Sequence, residues 1–252
     1  MPPRDTSIVG APCWVDLMTS DPQGARSFYG ELFGWVGAEA NPEFGGYFNF
    51  SKGEGLVAGC MRNDDANIPD AWSVYLQVEN AHATVDKVAV NGGTVIVPPM
   101  EVGPLGSMAV MTDAGGAVIG LWQPGTHQGT AVLGEPGTPA WFEVATRDFD
   151  KTVAFYKNVF GWDTHPMQGS PLPYTTLGDG PTANAGIMDA TTFLPDGVPA
   201  HWLIYFEVED AAATITKAMS MGASVVQPLE STPFGQMAVL TDPTGALFKI
   251  KG

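Results

Sequence analysis

Apolar positions along the chain switch repeatedly between strand-like and helix-like spacing. Cys13 to Met18 is an apolar run of strand length, and Asp21 after it is placed to cap a helix. From Pro22 to Phe33 the helical period puts Ala25, Phe28, Tyr29 and Leu32 on one face, and Gly34 is the stop signal. Strands are predicted from Tyr47 to Phe50 and from Leu56 to Met61. A second unit opens with a strand from Trp72 to Val78, then a helix from Ala81 to Val90 stopped by Gly92 and Gly93. Strands at Thr94 to Val97, Met108 to Thr112 and Ala117 to Trp122 complete it, with a hairpin signal from Asp113 to Gly116. Each unit therefore reads βαβββ, which makes the class α+β.

The pattern then recurs. Trp14 to Asp21 (WVDLMTSD) reappears as Trp141 to Asp148 (WFEVATRD), an offset of 127 residues. The same offset carries Phe28-Tyr29 onto Phe155-Tyr156 and Phe33-Gly34-Trp35 onto Phe160-Gly161-Trp162. Trp72 to Glu79 matches Trp202 to Glu209, and Met108 to Asp113 matches Met237 to Asp242. Small changes of offset mean short insertions, which belong in loops. The expected organisation is one repeat over 10–124, a Gly-, Thr- and Pro-rich linker over 125–138, and a second repeat over 139–252, giving four βαβββ modules in all.

Composition narrows the function. A net charge of −16 repels phosphate backbones and anionic lipid, so neither nucleic acid nor a membrane surface is expected as a partner. No run of 18 apolar residues exists, and the N-terminus lacks a signal-peptide pattern, so the expected location is the cytoplasm. Two cysteines, Cys13 and Cys60, make no disulfide framework and read as reduced buried thiols, with Cys13 pointing toward the helices. No glycine loop in the right context suggests a nucleotide site.

The order strand, Asp, apolar helix ending in Phe-Tyr, then Phe-Gly-Trp, resembles the opening of glyoxalase and bleomycin-resistance proteins. The hairpin Thr241 to Ala246 (TDPTGA) is similar to the closing signature of the same vicinal oxygen chelate superfamily. The resemblance runs from about Pro12 to Ile250, and the layout resembles that of actinobacterial double-repeat, glyoxalase-like "hydroxylase" proteins. It implies curved mixed sheets, each built from a pair of modules around a small-molecule cavity with helices outside. It also implies that one chain is sufficient as a monomer, a homodimer remaining open.

Enzymes of that superfamily hold a divalent metal through His, Glu or Gln on equivalent strands. The corresponding positions here are Trp14, Ser73 and Gly120 in the first repeat and Trp141, Leu203 and Lys249 in the second. None is a usual donor, and His82, His127, His165 and His201 are scattered, so no metal site and no cofactor are expected. Strand parity places Asp16 beside Trp14, and Glu143 beside Trp141, on the cavity side. Each pair offers a flat aromatic surface and a carboxylate for general acid–base work, or equally a carboxylate satisfying buried donors. Tyr75 and Tyr205 share that parity, either placing hydroxyls in the cavity as ligand-binding candidates or packing in the core, and His201 opens a strand either as a proton-shuttle candidate or as a partly exposed strand-end residue. The expected activity is a lyase, isomerase or tailoring reaction on a carbonyl or aromatic metabolite. The alternatives are sequestration of a ligand, as in bleomycin-resistance proteins, and metal-dependent chemistry at a displaced site.

Overall fold

The computed structural model describes residues 8–252. The first repeat forms an eight-stranded mixed sheet from β1 (Pro12–Thr19), β2 (Val36–Gly37), β3 (Phe48–Lys52), β4 (Gly55–Arg62), β5 (Ala71–Gln77), β6 (Thr94–Glu101), β7 (Gly106–Thr112) and β8 (Val118–Pro124). Its order is β2-β3-β4-β1-β5-β8-β7-β6, so the two modules meet where β1 pairs antiparallel with β5. The second repeat repeats this order with β9 (Pro139–Thr146), β10 (Thr164–Pro166), β11 (Tyr174–Leu177), β12 (Ala185–Asp189), β13 (His201–Glu207), β14 (Ser224–Thr232), β15 (Gly235–Thr241) and β16 (Leu247–Lys251). Each module contributes one helix: α1 (Pro22–Phe33), α2 (Ala81–Val88), α3 (Phe149–Phe160) and α4 (Ala211–Ser220).

Local signals set the helix boundaries. Asp21 accepts a hydrogen bond from the Gly24 amide at 2.9 Å, and Gly34 ends α1 at φ 74°, a conformation that glycine adopts without steric cost. The second helix is shorter than its apolar period suggests. It stops at Val88 and tightens into a 3₁₀ turn over Ala89–Asn91 before Gly92 turns left-handed.

Alternation along the central strands divides each sheet into two faces. Val15 and Leu17 of β1, with Val74 and Leu76 of β5, join Phe28, Tyr29 and Phe33 of α1 in a large core that also takes in Phe206 and Phe248 of the second repeat. The helical faces of the two repeats thus share one core, with α1 against α4, α2 against α3, and β5 approaching β13. The opposite faces carry two small separate clusters, one around Trp14, Tyr75 and Trp122, the other around Leu203 and Tyr205. Cys13 belongs to the first of these, not to the helical side. The β1–β5 register shifts between Pro12 and Trp14, and such a bulge lets two successive side chains share a face. No helix among the described residues is long and apolar enough to cross a membrane.

Candidate functional site

The faces turned away from the shared core hold the sequence-predicted residues, and the same motif is built twice. In the first repeat the β1–β4 and β1–β5 pairings put Gly59, Asp16 and Ser73 in one row, and Trp14 lies opposite Tyr75. Asp16, 7% exposed, accepts through Oδ1 from Trp14 Nε1 at 2.7 Å and from the Tyr47 hydroxyl at 2.7 Å. Trp14 Nε1 also lies 3.0 Å from the Tyr47 oxygen, and the Tyr75 hydroxyl is a further partner of Asp16. Burial outweighs these donors and raises the Asp16 carboxyl above the usual range. Burial, with the Asp16 charge beside them, likewise pushes the Tyr47 and Tyr75 phenols well up, so both remain protonated donors. Asn49 Oδ1, on the strand paired with Gly59, is buried without a hydrogen-bond partner.

In the second repeat Glu143, 3% exposed, takes the place of Asp16. Tyr174 donates to Oε2 at 3.0 Å, and Trp141 Nε1 donates to the Tyr174 oxygen at 3.0 Å. Tyr205 donates to Oε1 at 2.5 Å. Lys249, opposite Tyr205 on the β13–β16 ladder, adds a cation: its Nζ lies 2.9 Å from Oε1 and 2.6 Å from the Tyr205 oxygen. The ammonium also stands 4.5 Å from the centre of the Tyr205 ring.

Glycine makes both arrangements possible. A Cβ at Gly59 would lie 1.9 Å from the Tyr47 hydroxyl and 2.1 Å from Asp16 Oδ1, and one at Gly186 would lie 2.0 Å from the Tyr174 hydroxyl. Strand periodicity alone omits Tyr47, Tyr174 and both glycines. The 127-residue offset carries Tyr47 onto Tyr174 and Gly59 onto Gly186, and is the signal that finds them.

The two sites differ in access. Over the first, the linker between repeats packs His127 edge-on against Trp14, ring centres 4.4 Å apart, while Trp122 Nε1 holds the His127 carbonyl at 2.9 Å. The Thr130 and Ala131 amides bond to the Cys13 and Leu56 carbonyls, so the segment is fastened along β1 and β4. Trp14 is left 4% exposed and does not present an open aromatic floor. Trp141 is half-buried, and its neighbours Met188, Leu194, Met237 and Leu247 are only partly covered. One cavity of about 540 Å³ lies beside Phe149, Pro166 and Tyr174, sharing that tyrosine with the Glu143 cluster, and another of about 260 Å³ lies where Gly10 and Asn80 face Asn158 and Phe160. Neither is lined by a tryptophan.

His201 is not drawn into the Glu143 cluster. It sits two residue pairs along from the Glu143–Leu203 pair on the β9–β13 ladder, and its Nδ1 meets the Pro199 carbonyl at 2.9 Å. The superfamily's divalent metal does not fit these residues. Among the described residues no three His, Cys, Asp or Glu side chains gather, and in the second repeat an ammonium already stands against the only carboxylate of the cluster.

Fold and duplication together define a tandem-repeat protein of the glyoxalase type. The chain belongs to the Glyoxalase/Bleomycin resistance protein/Dioxygenase superfamily, whose model matches residues 13–121 and again 138–250. It is 38% identical over 258 residues to "Putative glyoxylase CFP32" of Mycobacterium bovis, covering 99% of this chain and 97% of that protein. It is 35% identical over 259 residues to the anthracycline biosynthesis protein DnrV of Streptomyces peucetius, covering 96% and 92% respectively. Among solved structures, the Mn(II)-bound glyoxalase of Novosphingobium aromaticivorans superposes with a TM-score of 0.66 at 12% identity, over 96% of this chain and 81% of that one.

Proposed function

We propose that the chain binds and acts on a flat carbonyl or aromatic small molecule at the Trp141–Glu143 face of the second repeat. Glu143 is the acid–base group, Trp141 and Tyr205 contact the ligand, and Asp16, Trp14 and Tyr75 form the closed counterpart in the first repeat. One observation carries this reading: the same Trp–Tyr–carboxylate chain is built twice, and only the second copy leaves its tryptophan partly exposed. A carboxylate held by fixed donors in an apolar surround needs little reorganisation when charge moves next to it. The anthracycline biosynthesis relative supports a polycyclic aromatic ligand, and the glyoxylase-named relative a carbonyl compound.

The test is titration with 2-hydroxyanthraquinone, following tryptophan emission, with chromatography for products. Quenching that Trp141→Ala abolishes supports the assignment, and quenching unchanged in that variant overturns it. Product formed by the wild type but not by Glu143→Gln marks an enzyme. Quinone recovered unchanged favours the second reading, sequestration, which the engagement of both Glu143 oxygens by protein donors also suits.

A further inference from the structure

The position on the last strand that faces Tyr205 is occupied by a cation whose hydrogen-bonding capacity is not filled. An ammonium has three N–H donors. Two of those on Lys249 are directed to Glu143 Oε1 and the Tyr205 oxygen, and the third has no protein partner among the described residues. The side chain is 13% exposed and shares a row of the sheet with Tyr205 and Trp141, whose apolar surround includes Met237 and Leu247, so little water competes there. Tyr205 spends its single proton on Glu143 and cannot serve a ligand oxygen as well. The first repeat has no such group. Its equivalent is Gly120, where a Cβ would lie 2.2 Å from Tyr75 Cδ1, so the Tyr75 ring fills the space a longer side chain would need.

Building on the small-molecule reading of this site, we infer that the second repeat selects ligands carrying a weakly acidic hydroxyl and binds them as the oxyanion, phenolate or enolate, on Lys249 Nζ. The ammonium then supplies locally the positive charge for which the site has no metal ligands. The net charge of −16 repels anions at long range, so selectivity for the ionised form arises from this one contact. Lys249 acts by charge and a single charge-assisted hydrogen bond, an interaction about twice as strong as its neutral equivalent.

The experiment compares 2-hydroxyanthraquinone with its non-ionisable analogue 2-methoxyanthraquinone in metal-free buffer, reading tryptophan quenching and the visible band of the phenolate. The wild type is expected to prefer the hydroxy compound by about tenfold and to hold it ionised at a pH where the free dye is neutral. Lys249→Met is expected to lose the preference. That variant leaves Glu143 buried without its cation, so Lys249→Met/Glu143→Gln removes both charges together and keeps the test independent of folding. Glu143→Gln alone frees the ammonium of its counter-charge and is expected to tighten binding of the phenolate about tenfold. If both compounds quench equally and no variant changes the phenolate band, the inference fails while the aromatic-binding reading stands. If neither compound quenches, both fall.

Discussion

The Tyr29 hydroxyl of the first repeat donates to Asp242 Oδ2 of the second at 2.9 Å, and the Tyr156 hydroxyl returns the contact to Asp113 Oδ2 at 2.9 Å. Each tyrosine also accepts from a tryptophan of its own repeat, Trp72 Nε1 at 3.0 Å and Trp202 Nε1 at 2.9 Å. Each aspartate uses its other oxygen to close its own hairpin, Asp113 on the Gly115 and Ala117 amides and Asp242 on the Thr244 and Ala246 amides. The hairpin of one repeat is therefore fastened to the first helix of the other, twice. Tyr29→Phe or Tyr156→Phe strands a buried indole N–H and removes a donor from a buried carboxylate, for a loss of about 1–3 kcal/mol. Urea unfolding of either variant is expected to lower the midpoint of one shared transition. Two separate transitions, only one of them moved, would show that the repeats unfold independently.

Asp16 makes a pH-dependent contribution whose sign follows from burial. Its carboxyl is raised above the usual carboxylate range, mainly by desolvation, so the folded state holds the proton more tightly than the unfolded chain. The stability it contributes is complete below the unfolded pKa and is lost as pH rises through the folded one. Asp16→Asn keeps an acceptor for Trp14 and Tyr47 and does not ionise. Across a urea series the variant is expected to gain on the wild type as pH rises from about 4 toward neutrality. A stability difference that stays flat over that window would sink the account.

Much of this was legible in the sequence because the signals are local or duplicated. Helix α1 announces itself through Asp21 and Gly34, and the parity of β1 and β9 puts Asp16 and Glu143 on the face turned away from the helices. Tyr47 and Tyr174 are harder to find, since each reaches its carboxylate from a separate strand region 31 residues away. Strand periodicity says nothing about which side chain fills the space above a glycine on the next strand. Cys13 defeats parity because a bulge depends on pairing, not on residue type. Closure of the first site by its linker is a tertiary fact. His127 reads as one polar residue among loop residues until the chain returns over Trp14. Lys249 reads as a missing metal ligand, and only the folded register shows it meeting Glu143.

Gly186 allows the second site to be disturbed without touching its charges. A methyl there would overlap the Tyr174 hydroxyl, and both lie on paired strands with little freedom to move apart. Gly186→Ala is expected to swing Tyr174 off Glu143 and leave the Trp141 indole N–H without its partner, costing about 1–3 kcal/mol. The Lys249–Glu143 pair remains. Quinone quenching of Trp141 is therefore expected to weaken, while the shift of the bound phenolate band persists. Loss of both together would mean that Tyr174 and Lys249 do not act separately.

His127 covers the first site, and its ionisation supplies a direct check on whether closure depends on it. Burial lowers the imidazole below its usual range, so the folded protein favours the neutral ring that packs on Trp14 and Trp122. A depressed pKa contributes stability that is present above the unfolded value of about 6.5 and lost as pH falls through the folded one. Acrylamide quenching of tryptophan emission is expected to rise as pH drops through that range, as the protonated ring is driven from its apolar contact. His127→Ala is expected to show the raised quenching at every pH, with the pH step gone. His127→Phe keeps a flat apolar ring over Trp14 and is expected to hold the site closed throughout. If His127→Phe opened it as readily as His127→Ala, closure would rest on the backbone bonds of Thr130 and Ala131 to β1 and β4, and the imidazole would contribute nothing to it.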